Sequence, residues 1–253
     1  MKRSLAIAVA LGVLGVPAAA RAQAPGPYAF STYYGCDQNR ESFTDPLQEH
    51  VFGPRLDAHV KAGHLLSWGW LSHRIGGAWR RAEYMIAPDR ATLLKVRSEL
   101  FEEIQGDAEL QSSRRVLNDI CPDHDDYIFR VAASSNPEAV AQKRPSIGLT
   151  VYFECNAARE AKTDEILTKT FAPILNRHVG EGALSSWIWL AHDTGGKIRR
   201  ALAFDAADGP TLYAARDAFE ADLQSQAGKE LAEFEDICAS HVDYLWDITL
   251  SRP

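Results

Sequence analysis

From Tyr28 to Gly35 the chain alternates aromatic and small residues (YAFSTYYG), the period-2 signature of a strand. The alternation returns from Leu65 to His73 and from Trp79 to Ile86 on either side of Gly76-Gly77, which predicts two strands joined as a hairpin. Tyr127 to Ala132 predicts a further strand. Thr44-Asp45-Pro46 offers a capping residue and a proline near the first helical position, and Gly63 a left-handed stop, so a helix is expected between them. Pro54 lies inside that helix, lacks a donor, and is expected to kink or divide it. Asp89 caps a second helix running through Ile104. The resulting order is strand, helix, strand, strand, helix, strand.

The order occurs twice. Shifted by 119 residues, Cys36–Ala82 aligns with Cys155–Ala201, and 22 of the 47 positions are identical. Unrelated segments of this composition would match at about one position in fifteen to twenty. The matches include Pro54/Pro173, His59/His178, Trp68/Trp187, Trp70/Trp189, His73/His192, both Gly-Gly pairs and Arg80-Arg81/Arg199-Arg200. After a two-residue change of length the register resumes, pairing Asp119-Ile120-Cys121 with Asp236-Ile237-Cys238. A unit this long is a domain and not a solenoid repeat. We therefore divide the chain into repeats over 26–133 and 146–253, joined by a linker over 134–145.

Composition adds a location. Lys2 and Arg3 precede an apolar run from Leu5 to Val16 and an Ala20-Arg21-Ala22 site, which reads as a secretory signal over 1–22 and an exported, periplasmic or secreted protein. The run is shorter than the roughly 20 residues a spanning helix needs, so the mature chain is not expected to span a membrane. Cleavage after Ala22 leaves 24 Lys and Arg against 34 Asp and Glu, a net charge of about −10. Such a surface repels phosphate backbones and argues against nucleic acid. Four cysteines in an exported chain are expected to pair, with three connectivities open.

The duplicated element order resembles the dimeric α/β-barrel superfamily, in which two ferredoxin-like modules press their sheets together. The resemblance covers both repeats and rests on element order. It implies an α+β fold of two tandem βαββαβ modules closing a pseudo-dimeric barrel within one chain. It also places the first and last strands of each module side by side, which implies the bonds Cys36–Cys121 and Cys155–Cys238. Cofactor-free monooxygenases, small-molecule isomerases or lyases and haem-handling proteins are among the activities that superfamily implies.

With Gly76-Gly77 as the turn, His73 faces Arg80, Leu71 faces Ala82 and Gly69 faces Tyr84, leaving Trp68, Trp70, Arg81, Glu83 and Met85 on the other side. Trp187, Trp189 and Arg200 repeat that face. Because helices approach closely where side chains are small, the Gly69/Ala82 side is assigned to the helices and the tryptophan side to the space between the sheets. Four tryptophans with Arg81 and Arg200 would there suit a planar or anionic organic ligand; as core filler they need none.

Of the polar candidates, His59 and His178 sit where a helix C-terminus alone would hold them, with a base or metal ligand as the functional reading. His73 with Arg80 and His192 with Arg199 lie at a strand end. No H-E-x-x-H, C-x-x-C, phosphate loop, dinucleotide fingerprint or Ser-His-Asp signature occurs, so neither a metal site nor a cofactor is expected. The leading expectation is a non-catalytic protein binding or sensing a small organic ligand between its repeats. An enzyme of dimeric α/β-barrel type, or an interaction subunit with a protein partner, are the alternatives.

Overall fold

A computed structural model describes residues 26–135 and 145–253. The signal-sequence reading and most of the linker reading fall outside these residues. The first half contains β1 (Tyr28–Gly35), α1 (Thr44–Leu47), a π-helical turn (Gln48–Phe52), α2 (Gly53–Lys61), β2 (Ser67–Ile75), β3 (Arg81–Ala87), α3 (Arg90–Gly106), α4 (Ala108–Ile120) and β4 (Asp123–Ser134). The second contains β5 (Ile147–Glu154), α5 (Glu160–Ile166), a second π-helical turn (Leu167–Phe171), α6 (Ala172–Gly180), β6 (Ser186–Thr194), β7 (Arg200–Ala206), α7 (Gly209–Gln226), α8 (Gly228–Ile237) and β8 (Ser240–Arg252).

Pro54 and Pro173 fall where each helical stretch is divided, in the first turn of its second α segment. The π turn ends just before each, and its wider winding accommodates the residue that cannot donate. Asp89 caps α3 by accepting from the Thr92 amide, as expected. A helix not anticipated from sequence, α4, starts at Asp107, whose carboxylate accepts from the amides of Glu109 and Leu110.

The eight strands are all antiparallel and close a barrel in the order β1-β3-β2-β8-β5-β7-β6-β4. The expected hairpin register is present, with Leu71 opposite Ala82 and Gly69 opposite Tyr84, and the His73 amide donating to the Arg80 carbonyl. Two seams, β2 with β8 and β4 with β6, join the halves. At each seam a tyrosine of one half packs on the glycine turn of the other. A Cβ at Gly76, whose φ is +145°, would lie 2.6 Å from the Tyr244 ring, and one at Gly195 would lie 2.5 Å from Tyr127. The disulfides are Cys36–Cys121 and Cys155–Cys238, each closing one half. Such cystines are more typical of proteins outside the reducing cytosol. Among the described residues no helix is long and apolar enough to cross a membrane.

The two faces of the sheet are the reverse of the expectation. Trp68, Trp70 and Met85 pack under the helices of the first half, and Trp187, Trp189 and Phe204 under those of the second. The side carrying Ala29, Ala82 and Ala201 faces the barrel lumen. An eight-stranded barrel is just wide enough for side chains to fill. Small residues on some strands make room for rings from their neighbours, and a Cβ at Gly69 would lie 2.5 Å from the Tyr84 ring. Tyr33 stacks on Trp79 at 4.2 Å, Trp79 on Tyr244 at 5.0 Å and Tyr244 on Trp246 at 5.1 Å, while Tyr33 meets Tyr152 edge-on at 5.3 Å. These rings occupy the space between the halves where the sequence led us to expect a ligand.

Candidate functional site

The arginines expected to face a ligand are pinned instead. Arg81 Nε donates to Asp45 Oδ1 at 2.8 Å and Nη2 to Oδ2 at 3.1 Å, and Trp70 Nε1 donates to the same Oδ1 at 2.7 Å. In the second half Arg200 holds Asp164 at 2.8 and 3.0 Å and Trp189 donates at 2.7 Å. Trp68 donates to Asp57 and Trp187 to Asn176. These bonds fasten the strands of each half to its first two α-helices and use up the polar handles proposed for recognition.

Arg80 forms a two-pronged pair with Glu41 at 2.7 and 2.8 Å, as Arg199 does with Glu160 at 2.7 Å on both prongs. The remaining guanidinium nitrogen, Nη1, reaches His73 Nδ1 at 2.6 Å from Arg80 and His192 Nδ1 at 2.9 Å from Arg199. A guanidinium cannot accept, so each Nδ1 carries the lone pair and the neutral ring carries its proton on Nε2. Burial, and then the adjacent arginine charge, hold both histidines below the usual imidazole range. Two neutral histidines locked identically in both halves are best suited to holding the strand ends.

Under the helices the halves differ around Glu83. In the first half a cavity of about 50 Å³ lies between β3 and the helices, lined by Gln48, Phe52, Arg55, Leu56, Glu83, Met85, Arg97, Leu100, Glu103, Ile104, Leu110, Arg114 and Leu117. Glu83 projects into it from β3. Gln48 Nε2 from the π turn lies 3.4 Å from one carboxyl oxygen and the buried Tyr34 hydroxyl 3.4 Å from the other. Burial lifts the Glu83 carboxyl above the usual carboxylate range, and the Arg97 and Arg114 guanidiniums oppose that shift. Burial also lifts the Tyr34 hydroxyl, with the Glu83 charge adding to the effect. The Arg97 guanidinium lies 3.9 Å over the Phe30 ring.

By the 119-residue shift, Gln48, Glu83, Tyr34 and Leu100 correspond to Leu167, Leu202, Phe153 and Phe219, all in the apolar core of the second half. One half therefore keeps a polar cavity where the other is filled with hydrocarbon. Glu83 was legible in the sequence only as a member of the tryptophan face. The polar-for-apolar exchange at Gln48/Leu167 and Glu83/Leu202 is the signal that marks the site.

His59 and His178 occupy equivalent helix ends but different company. His178 Nε2 lies 2.9 Å from an Asp222 oxygen, and Arg177 shares that oxygen at 2.5 Å. His59 Nδ1 lies 3.3 Å from His64 Nδ1, with Glu99 beside them.

No protein-family model matches the chain, and no curated protein matches it in sequence. Solved structures do match in shape. A provisionally assigned monooxygenase from Lactobacillus acidophilus superposes with a TM-score of 0.62 at 11% identity, over 89% of this chain and 95% of that one. A second, from Fusobacterium nucleatum, gives 0.60 at 10% over 90% and 94%. The chlorite dismutase of Candidatus Nitrospira defluvii, in complex with imidazole, gives 0.52 at 9% over 89% and 92%. The fold is of the dimeric α/β-barrel type. At these identities the likeness extends to the fold alone. Haem, implied by the superfamily resemblance, does not fit the cavity: its lining has no His, Cys or Tyr, and its volume is that of a few waters.

Proposed function

We propose that the chain is an exported, duplicated α/β-barrel enzyme, two ferredoxin-like modules of which the first is catalytic and the second is its filled, supporting copy. The observation that carries this reading is Glu83, an uplifted carboxyl group in a cavity whose counterpart is plugged by Leu202 and Leu167. A carboxylate made more basic by burial serves as a general base. It would take a proton from a phenolic O–H or an activated C–H of a small organic substrate. Gln48 and Tyr34 would orient the carboxyl group, and Arg97 and Arg114 would balance the anion left behind. At about 50 Å³ the cavity holds a few waters. A one-ring substrate would need Glu103 to swing aside and the long side chains of Arg97 and Arg114 to draw back to its edge, where their charges would still face the anion. Neighbours described as monooxygenases make dioxygen uptake the first activity to measure.

The test screens the mature protein against small phenols and organic acids by thermal shift and oxygen consumption, beside a Glu83→Leu/Gln48→Leu variant that borrows the second half's own residues. A compound that raises Tm or is turned over by the wild type, and loses its effect in the filled variant, supports the site. An effect that survives filling places the chemistry elsewhere. With a substrate in hand, Glu83→Gln should lower kcat by about 10²- to 10⁴-fold.

A further inference from the structure

We propose that His59, His64 and Glu99 form a binding site for a divalent transition-metal ion, with Zn²⁺ the best match, on the outside of the first half. The two imidazole Nδ1 atoms face one another at 3.3 Å, and a carboxylate oxygen of Glu99 lies with both inside a sphere of contacts no wider than 4.8 Å. Zinc–nitrogen bonds of about 2.0–2.1 Å at a tetrahedral angle put two ligand nitrogens roughly 3.3 Å apart. The observed separation is that span, and it is longer than the ~2.9–3.0 Å of a good N–H···acceptor bond. Two His and one carboxylate are a zinc ligand set that leaves the fourth position open to water or to a ligand.

The backbone builds the pair. The His64 amide donates at 2.9 Å to the His59 carbonyl at the end of α2, and Gly63, at φ +74°, turns the chain back so that residue 64 returns to residue 59. Glu99 arrives from α3 and carries only an exposed pair with Lys95 at 3.5 Å, which is weak enough for a metal to displace. From within 4.8 Å the carboxylate has at most roughly 1.5 Å to close to reach the ligand spacing of a tetrahedral ion, a movement within the reach of a glutamate rotamer on a helix surface.

The second half supplies the contrast. His59 is matched by His178, but His64 and Glu99 are matched by Ala183 and Ala218, which line an open groove, and His178 turns to Asp222. A histidine held only by its helix end would need neither of the two extra ligands. In the first half the ion would bridge the end of α2 to α3, two of the helices that wall the Glu83 cavity together with α4. The site stands independently of the catalytic reading.

The experiment uses the mature chain without a polyhistidine tag. Zn²⁺ is titrated by calorimetry, and Co²⁺ binding is followed through the visible bands of a tetrahedral complex. One ion per chain is expected. His64→Ala and Glu99→Ala, which install residues the second half tolerates, should weaken binding by at least about the ten- to hundredfold that loss of a ligand's outer partner alone produces. Unchanged Zn²⁺ affinity in His64→Ala, or no stoichiometric binding by a wild-type chain with intact circular dichroism, overturns the proposal.

Discussion

Asp205 lies on the inward face of β7, where Ser186 Oγ donates to it at 2.9 Å and a Cβ at Gly148 would come within 2.6 Å of its Oδ1. Burial pushes its carboxyl group up to about 6, against the single hydrogen bond from Ser186 that favours ionisation. The folded state thus binds this proton more tightly than the unfolded chain. The contribution to stability is complete below about pH 4 and is lost as pH rises through about 6. Asp205→Asn, which cannot ionise, should be the more stable protein at pH 7.5 by ~1–3 kcal/mol, with the gap closing near pH 4. Urea unfolding at the two pH values measures it, and an equal difference at both would show that the carboxyl group does not titrate there. Nothing in the sequence marked Asp205, whose counterpart in the first half is Ile86. The duplicated polar residues were legible as pairs because each recurs. The unpaired ones, Asp205 and Glu83, emerge only when positions that differ between the copies are compared.

At the scale of elements, Asp45 and Asp164 carry more than their place in a helix start suggested. Each accepts from a tryptophan of one strand and an arginine of the next, joining α1 to β2 and β3, and α5 to β6 and β7. Arg81 is only 4% exposed, so Asp45→Ala leaves a buried guanidinium with Glu41, 3.4 Å away, as its remaining acid. A loss of ~2–4 kcal/mol is expected in chemical denaturation, less than for an entirely orphaned charge because Glu41 remains. Asp164→Ala should cost a similar amount, and a loss under about 0.5 kcal/mol in either would mean that the pins are ornamental surface pairs. The strands and the hairpin register were readable because period-2 alternation and a Gly-Gly turn fix them. The facing was not. In a closed barrel covered by helices both faces are buried, so alternation divides a strand into two sides without saying which side looks inward. Helix α4 escaped notice because its buried residues, Leu110, Leu117 and Ile120, form a stripe too sparse among polar neighbours to stand out.

For the whole molecule, the cystines matter for where they do not run. Each closes a loop of more than eighty residues inside one half, stabilising that half by ~4–5 kcal/mol on a chain-entropy account. Neither crosses a seam. The halves meet through the ladders of β2 with β8 and β4 with β6, the tyrosines on the glycine turns, and the aromatic lumen, all of them non-covalent. Residues 26–135 and 145–253, co-expressed as separate polypeptides, should therefore assemble one to one and elute together on gel filtration. Two fragments that fold alone and ignore each other would contradict this. Swapping whole halves then becomes a practical route to new variants: two copies of the first would carry two Glu83 cavities, and two copies of the second none. Because only non-covalent contacts cross the seams, the half with the polar chamber and the half filled with hydrocarbon can be exchanged or mutated one at a time without touching a covalent crosslink.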